Sequence, residues 1–170
     1  NILDFSRMDD DRKKYDFTDL DMDELLLKFL ESTRERVHEP RFDIRCDRPD
    51  RVSIIKADKN AMLQVFYNLV DNAIKFSGTS RQIDVSLFSR DDELLFCVKD
   101  YGIGISLKDQ EKIFDRFFRG DEPQRMGIRG SGIGLTIVKK IIEAHQGHLT
   151  LESKPGEGST FCVHLPVNKM

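Results

Sequence analysis

Apolar and polar residues recur along this chain at spacings that predict both helices and strands. Apolar residues return every three or four positions after Asp58, and again from about Ile133 to His145, which predicts two amphipathic helices. Asp21 is a suitable N-cap for a third helix because Glu24 follows three residues later, and we expect that helix to run to about Val37. Each apolar stripe is expected to face a core.

Alternating residues predict the strands. Two hairpins are expected, Gln82–Ser89 with Glu93–Lys99 and His148–Ser153 with Ser159–Leu165. Shorter extended segments are expected at Tyr15–Leu20, Arg41–Cys46 and Arg51–Lys56. Because strands and helices mix without regular βαβ alternation, we predict an α+β fold, a two-layer α/β sandwich with helices on one face of a mixed, mostly antiparallel sheet.

The segment from Asp100 to Gly132 departs from both patterns. It is rich in Gly, Arg and Phe, and only Leu107 to Phe114 has helical spacing. Long irregular segments inside compact domains are usually functional. We therefore predict a lid over a binding site.

Composition narrows the class of protein. A chain of 170 residues with 39% hydrophobic and 34% charged residues suits one globular domain. Its net charge of -3 argues against nucleic-acid binding, and no apolar run approaches the roughly 18 residues that span a bilayer. The three cysteines lie far apart without a C-x-x-C pair, so we expect no disulfide framework, no zinc site and a reducing cytosol, with each thiol a buried small hydrophobe.

The helix after Asp58 carries a polar ridge opposite its apolar stripe. Asn68, Asp71, Asn72 and Lys75 fall within about 60° of Asn68 when viewed down the helix axis. An amide oxygen suits Mg²⁺, and a lysine suits phosphate. A solvated helix face is the alternative interpretation.

Two glycine-rich segments suggest a nucleotide. Asp100 ends a predicted strand and would need a donor partner if buried, while Gly102 and Gly104 would let the backbone lie close to a planar ligand. A tight turn explains this segment about as well. Gly130 to Leu135 leads into a helix, where free N–H groups and the helix dipole favour a phosphate. The dinucleotide fingerprint fails because no strand precedes these glycines.

Together these segments resemble the sensor histidine kinase catalytic domain of the GHKL superfamily, which has the Bergerat fold. Asn68 to Ser77 is similar to the asparagine box, and Asp100 to Ile105 to the first glycine box. Phe114–Arg119 resembles the phenylalanine box, Gly130–Leu135 the second glycine box, and Gly156–Phe161 the closing box. Five motifs in family order make this resemblance specific.

The resemblance implies ATP and Mg²⁺ as cofactors, held between the second helix and a lid from about Ile105 to Ser131. It implies that Asn72 ligates Mg²⁺, that Asp100 accepts from the adenine amine, and that Asn68, Lys75 and Arg119 act on the phosphates. The ATP-binding residues it implies are Asn68, Asn72, Lys75, Phe76, Asp100, Gly102, Gly104, Ile105, Phe118, Gly130, Ser131, Gly132, Ile133, Gly134, Leu135 and Thr160. Tyr101 departs from the family pattern and is expected to alter contacts near the base.

The resemblance also divides the chain into residues 1–14, the end of a preceding dimerisation and phosphoacceptor helix, and residues 15–170, the catalytic domain. His38, His145, His148 and His164 lack the sequence setting of a phosphoacceptor, so they are interpreted as structural. Since the chain opens at Asn1 without Met, we expect a monomeric piece of a longer, homodimeric kinase. That parent would transfer the γ-phosphate of ATP to a histidine on its own helical domain and then serve a response regulator. It would act in the cytoplasm, with membrane anchoring possible for the parent.

Two other functions stay open. One is an ATP-hydrolysing clamp of the gyrase, mismatch-repair or chaperone type, and the other is a nucleotide-binding module without catalysis. The phenylalanine box and the N-terminal helix tail favour the kinase over the clamp. Intact Asn72 and Arg119 count against the non-catalytic module.

Overall fold

The computed structural model describes residues 14–36, 42–48, 54–128 and 130–167, without the side chains of residues 34–36, 122 and 125. The described strands are β1 (Thr18–Asp21), β2 (Asp43–Asp47), β3 (Ile54–Ala57), β4 (Gln82–Arg90), β5 (Glu93–Asp100), β6 (His148–Lys154) and β7 (Gly158–Pro166). The described helices are α1 (Met22–Arg36), α2 (Lys59–Phe76), α3 (Leu107–Gln110), α4 (Asp121–Arg125) and α5 (Gly134–Ala144). The predicted helical tail at residues 1–14 lies outside the described residues except for Lys14.

Five strands form one mixed sheet in the order β2-β4-β5-β7-β6. Only β2 runs parallel to its neighbour, and the other three pairings are antiparallel. Both predicted hairpins are confirmed, because β4 pairs with β5 and β6 pairs with β7. Strands β1 and β3 form a separate two-stranded antiparallel sheet.

The core lies between the five-stranded sheet and α1, α2 and α5, which cover one of its faces. In α2 the apolar stripe is buried as predicted, and the Phe66 ring packs on Phe96 of β5 with centroids 4.5 Å apart. The two-layer sandwich is confirmed. No helix in the described part of the chain has both the length and the apolarity to cross a membrane.

Side chains fix where the first two long helices begin. Asp21 accepts from the backbone N–H groups of Asp23 and Glu24 at 3.0 and 3.1 Å, so the predicted N-cap of α1 is confirmed. Asp58 caps α2 by accepting from Ala61 N at 2.9 Å. The predicted end of α1 near Val37 lies outside the described residues.

The irregular segment from Asp100 to Gly132 contains two short helices, whereas its sequence pattern predicts one. The predicted helix from Leu107 to Phe114 ends at Gln110, because the chain after it folds into turns closed by bonds such as Asp115 N to Lys112 O at 2.8 Å. A second short helix, α4, was not predicted. Its Pro123 masked the pattern, although proline is tolerated in the first turn of a helix.

The expectation that all three cysteines are unpaired thiols is wrong for two of them. Cys97 and Cys162 form a disulfide between β5 and β7 with their Cα atoms 4.1 Å apart, while Cys46 is not part of a disulfide. The two residues are 65 positions apart in sequence but are direct cross-strand partners. The spacing of the cysteines in sequence could not predict the disulfide, because their proximity depends on the register of β5 against β7.

Candidate functional site

A cavity of about 710 Å³ opens between α2, the turn after β5, the N-terminus of α5 and the lid segment, which we define as residues 105–131. Fifteen of the seventeen side chains or glycines predicted for the site line this cavity. The two exceptions are Gly102 and Thr160. The cavity therefore gathers residues from five separate parts of the sequence.

Helix α2 supplies the polar ridge that its sequence predicts. Asn68, Asp71, Asn72 and Lys75 all line the cavity, with Phe76 at the end of the same helix. Lys75 forms an i,i+4 ion pair with Asp71. Because both side chains are partly exposed, this ion pair is weak, and Lys75 can exchange Asp71 for another anion. Among the described residues, none donates to the Asn72 side chain, so its amide oxygen is available to a ligand.

Asp100 closes the inner end of the cavity and is only 4% exposed. Burial raises the pKa of its carboxyl group, while backbone N–H groups of Gly102 and Ser159 oppose that shift. The Gly102 N–H donates to Asp100 Oδ1 at 2.9 Å. A carboxylate has about four acceptor positions, so capacity remains for a donor on a ligand.

The glycines after Asp100 are required by contacts within the protein itself. A Cβ on Gly102 would lie 1.8 Å from the carbonyl oxygen of Phe76, and one on Gly104 would lie 1.9 Å from that of Lys154. Ile103 N donates to Phe76 O at 3.1 Å, and Ile103 O accepts from Gly156 N at 2.8 Å. This segment is therefore held between the end of α2 and the turn joining β6 to β7.

The N-terminus of α5 faces the polar ridge of α2. Ile133 occupies the N-cap position and makes no side-chain cap hydrogen bond, so the first N–H groups of this helix lack a side-chain acceptor. A Cβ on Gly134 would lie 2.8 Å from Asn68 Oδ1, which shows how closely the two helices approach. An uncapped helix N-terminus beside Asn68 is a suitable place for an anion.

The lid segment brings an aromatic and a cationic side chain to the cavity. Phe118 and Arg119 both line it, and the Arg119 guanidinium donates to the carbonyl of Ile128 within the same segment. Phe117 N donates to Gly132 O at 3.0 Å, and Gly132 has a φ of +70° with Phe117 and Phe118 backbone atoms where a Cβ would lie. The second glycine segment thus fastens the phenylalanine segment to the start of α5.

The structure corrects two predicted contacts with the ligand site, those of Thr160 and Tyr101. Thr160 pairs with Lys99, whereas its neighbour Ser159 pairs with Asp100 and lines the cavity together with Phe161. Tyr101 does not line the cavity, because its hydroxyl donates to Asp84 and Lys99 Nζ lies 4.6 Å from its ring centroid. The departure at Tyr101 thus changes contacts on the opposite face of the sheet.

Sequence reasoning also missed apolar residues of the lid segment. Ile113, Met126 and Ile128 line the cavity. Ile113 belongs to the predicted helical stretch Leu107–Phe114, whereas Met126 and Ile128 follow no helical or strand period. Their only signal was an apolar character inside an otherwise polar, irregular stretch. They make one wall suitable for a flat, partly apolar ligand.

The donor set of the cavity limits what metal it could hold. Among the described residues, the one cluster of three His, Cys, Asp or Glu ligands lies elsewhere, at Glu93, His148 and His164. A metal in the cavity would therefore take few protein ligands and would depend on a bound phosphate. That arrangement is the one Mg²⁺ prefers.

Comparisons with known proteins agree with this geometry. Residues 57–169 match the model of the family described as histidine kinase-, DNA gyrase B-, and HSP90-like ATPase. The chain is 33% identical over 165 residues to the sensor-like histidine kinase SenX3 of Mycobacterium tuberculosis. That alignment covers 97% of this chain but 40% of SenX3, so the chain spans less than half the length of this relative.

Solved structures share the fold over almost the whole chain. Full-length ShkA in complex with AMPPNP superposes with a TM-score of 0.85 at 25% identity, covering 99% of this chain and 35% of ShkA. The nucleotide-free catalytic domain of the histidine kinase ThkA superposes with a TM-score of 0.76 at 28% identity, covering 89% of this chain and 95% of that domain. The similarity to ThkA therefore concerns a catalytic domain alone.

Proposed function

Since this chain belongs to the family of histidine kinase-, DNA gyrase B- and HSP90-like ATPases, and within it to the sensor histidine kinases, we propose that its cavity presents the γ-phosphate of Mg-ATP to a histidine on a separate helical domain. The observation that carries the proposal is the meeting of three groups in one cavity. These are Asp100 at the inner end, Asn72 on α2 and the uncapped N-terminus of α5.

Each group suits one part of the nucleotide. Asp100 accepts from the exocyclic amine of adenine, whose donor satisfies a buried carboxylate. The N-terminal N–H groups of α5, together with Asn68 and Lys75, bind phosphate oxygens. Asn72 supplies an amide oxygen to Mg²⁺, which neutralises phosphate charge when bound.

Arg119 is positioned for the transfer step. It lines the cavity from the lid segment, and its guanidinium is held by the carbonyl of Ile128, a neutral partner that leaves its charge uncompensated at that contact. A phosphoryl group gains negative charge on its equatorial oxygens during transfer, and an arginine stabilises that charge. Arg119 would therefore act on the γ-phosphate.

The acceptor histidine belongs to another domain. His145 is buried at the end of α5, while His148 and His164 lie on β6 and β7, and none of the three lines the cavity. We therefore assign the acceptor to the dimerisation and phosphotransfer domain of a homodimeric parent. The phosphohistidine would then supply a response regulator in the cytoplasm.

A transfer assay tests this function. The chain is mixed with γ-labelled ATP, Mg²⁺ and the histidine-bearing helical domain of its parent, supplied in trans. We expect acid-labile label on that domain and none on this chain. Arg119→Ala should lower the transfer rate with little change in ATP affinity, whereas Arg116→Ala, in the same lid segment but outside the cavity lining, should leave the rate unchanged. Label that stays acid-stable, or that appears on this chain alone, contradicts the proposal.

A further inference from the structure

Two histidines and a glutamate meet on the sheet far from the nucleotide cavity. His148 begins β6, His164 lies near the end of β7 as its cross-strand partner, and Glu93 begins β5. We call these three residues the histidine–glutamate cluster. Val163 and Leu165 are buried beneath the helices, so the alternation along β7 places His164 on the sheet face that the helices do not cover.

The side chains of the cluster lie close together. His164 Nδ1 lies 3.2 Å from Glu93 Oε2, and His148 Nδ1 lies 3.8 Å from Glu93 Oε1. The two imidazole rings stack with centroids 4.2 Å apart and planes 17° from parallel. One ligand atom from each of the three residues lies within 4.8 Å of the other two.

The two separations to Glu93, 3.2 and 3.8 Å, are close to those of a metal site. With bonds of about 2.0–2.1 Å, neighbouring ligands around a tetrahedral zinc ion lie roughly 3.3 Å apart. Two imidazoles and one carboxylate are a ligand set that zinc accepts, and three protein ligands leave a position for water. Exposure of His148 leaves that position accessible from solvent. We propose that Glu93, His148 and His164 bind a divalent transition-metal ion of the zinc class.

A neighbouring hydroxyl orients one of the ligands. Thr150 Oγ1 lies 3.1 Å from His164 Nε2 and can accept from that nitrogen. In the structure, His164 Nδ1 is within hydrogen-bond distance of Glu93 Oε2. When a metal takes the place of the Nδ1 proton, Nε2–H is the donor to Thr150 Oγ1, and this bond holds the imidazole ring in orientation. Thr150 is thus a positioning residue.

The cluster is separate from the cavity. Glu93 and Asp100 are the two ends of β5, seven residues or roughly 23 Å apart. They also point to opposite faces of the sheet, because Leu94, Phe96, Val98 and Asp100 alternate with Glu93. A metal here would link β5, β6 and β7 without touching the nucleotide.

Zinc titration tests the site. The untagged chain is stripped with chelator, held in excess Mg²⁺ so that hard-oxygen sites are saturated, and titrated with Zn²⁺ by calorimetry. We expect one zinc per chain and a rise in Tm of about 5 °C when zinc exceeds its Kd roughly a hundredfold. Co²⁺ in place of zinc should give the visible absorption of a four-coordinate site.

Single substitutions locate the ion. His148→Asn and Glu93→Gln should each weaken zinc binding by more than about a hundredfold, and Thr150→Val by roughly tenfold. Glu152→Gln, which removes the same charge as Glu93→Gln from an exposed position on the strand that carries His148, should leave zinc binding unchanged. ATP binding should be equal in all four variants. Absence of stoichiometric zinc uptake, or an unchanged zinc affinity in His148→Asn, overturns the proposal, and circular dichroism of that exposed-site variant establishes that it is folded.

Discussion

Asn72 is the side chain on which metal dependence should rest. It lines the cavity on a helix face whose opposite side is buried, so Asn72→Ala should leave the fold intact. We expect the affinity for ATP in the presence of Mg²⁺ to fall to its magnesium-free value, because the amide ligand is lost. Calorimetry with and without Mg²⁺ measures this. Asn60→Ala, on an exposed position of the same helix, is the matched control and should behave as the native chain. A magnesium dependence that survives in Asn72→Ala would remove Asn72 from the metal site.

Asn68 is the residue that should prevent the cavity from hydrolysing ATP. In the hydrolysing members of the superfamily that this chain resembles, a glutamate one helical turn before the metal-binding asparagine acts as general base. Asn68 stands there in this chain, with its Nδ2 donating to Gln64 O at 2.7 Å, and an amide cannot accept a proton near neutral pH.

We therefore expect very slow hydrolysis of ATP by the chain alone, measured as phosphate release. The neighbouring carboxylate, Asp71, is paired with Lys75 and is adjacent in sequence to Asn72, so it should not replace the missing base. Asp71→Asn should leave the basal rate unchanged. Steady turnover that disappears in Asp71→Asn would place this chain with the hydrolysing clamps instead.

Residue identity alone could not separate the two faces of a strand at the site. The resemblance to the closing box predicts Thr160 as a site residue, yet its neighbour Ser159 lines the cavity. The register of β7 against β5 decides which of the two side chains points inward. Likewise the sequence singled out Gly102 but did not indicate its contact with α2, where a carbonyl oxygen is the atom nearest to the absent Cβ. Contacts between segments distant in sequence are invisible until the chain is folded.

At the scale of elements, the start of α2 is held by one carboxylate with several partners. Asp58 accepts from Ala61 N at 2.9 Å and from Asp16 N at 2.8 Å, and its own N–H donates to His145 Nε2 at 3.1 Å. Burial raises the pKa of Asp58, but the N–H groups of Ala61, Asp16 and Asn60 and the nearby His145 together lower it further than burial raises it. Asp58 thus joins α2, the segment before β1 and the end of α5.

Asp58→Ala should lower the free energy of unfolding by about 1 kcal/mol, the usual value of an N-cap. Because the folded-state pKa of Asp58 lies below its unfolded value of 3.8, the stabilisation is present above that pH and is lost as pH falls through the folded pKa. Asp58→Asn keeps an acceptor for Ala61 and should lose less stability at pH 7, with a shallower decline below pH 4. Urea unfolding from pH 3 to pH 7 measures both effects. Equal stability of Asp58→Ala and the native chain at pH 7 contradicts this role.

Elements with strong periodicity were predicted with nearly their observed bounds. The stripe after Asp58 and the alternation around Asp91 are local signals, and they correspond to α2 and to the β4–β5 hairpin. The second short helix, α4, carries a proline and too few residues for a period to show, so only tertiary contacts specify it. The disulfide between Cys97 and Cys162 was missed because pairing across β5 and β7 depends on the sheet order.

For the whole molecule, the lid segment is the part expected to respond to nucleotide. It is attached to the body of the domain through bonds such as Thr136 Oγ1 to Phe114 O at 3.0 Å and Gln110 Nε2 to Ser153 O at 3.0 Å. Between those points Phe117 is 65% exposed and Met126 is 50% exposed, so little apolar burial holds the segment closed.

Hydrogen exchange should therefore be fast from Asp121 to Ile128 without nucleotide and slower when ATP and Mg²⁺ are bound. The buried strand β5 is the internal control, and its protection should be high in both states. If residues 121–128 show equal protection with and without ATP, the lid assignment is wrong.

The most direct test of the whole account is a calorimetric comparison of Mg-ATP and Mg-GTP. Guanine has a carbonyl where adenine has an amine, so it would place an acceptor against the buried acceptor Asp100, at a cost of about 1–3 kcal/mol. We predict one ATP site per chain and GTP binding weaker by roughly tenfold to a hundredfold, with that difference reduced in Asp100→Asn, whose amide can donate to guanine. Equal affinities for ATP and GTP, or an undiminished preference in Asp100→Asn, would contradict the claim that this cavity is an adenine-nucleotide site built on Asp100.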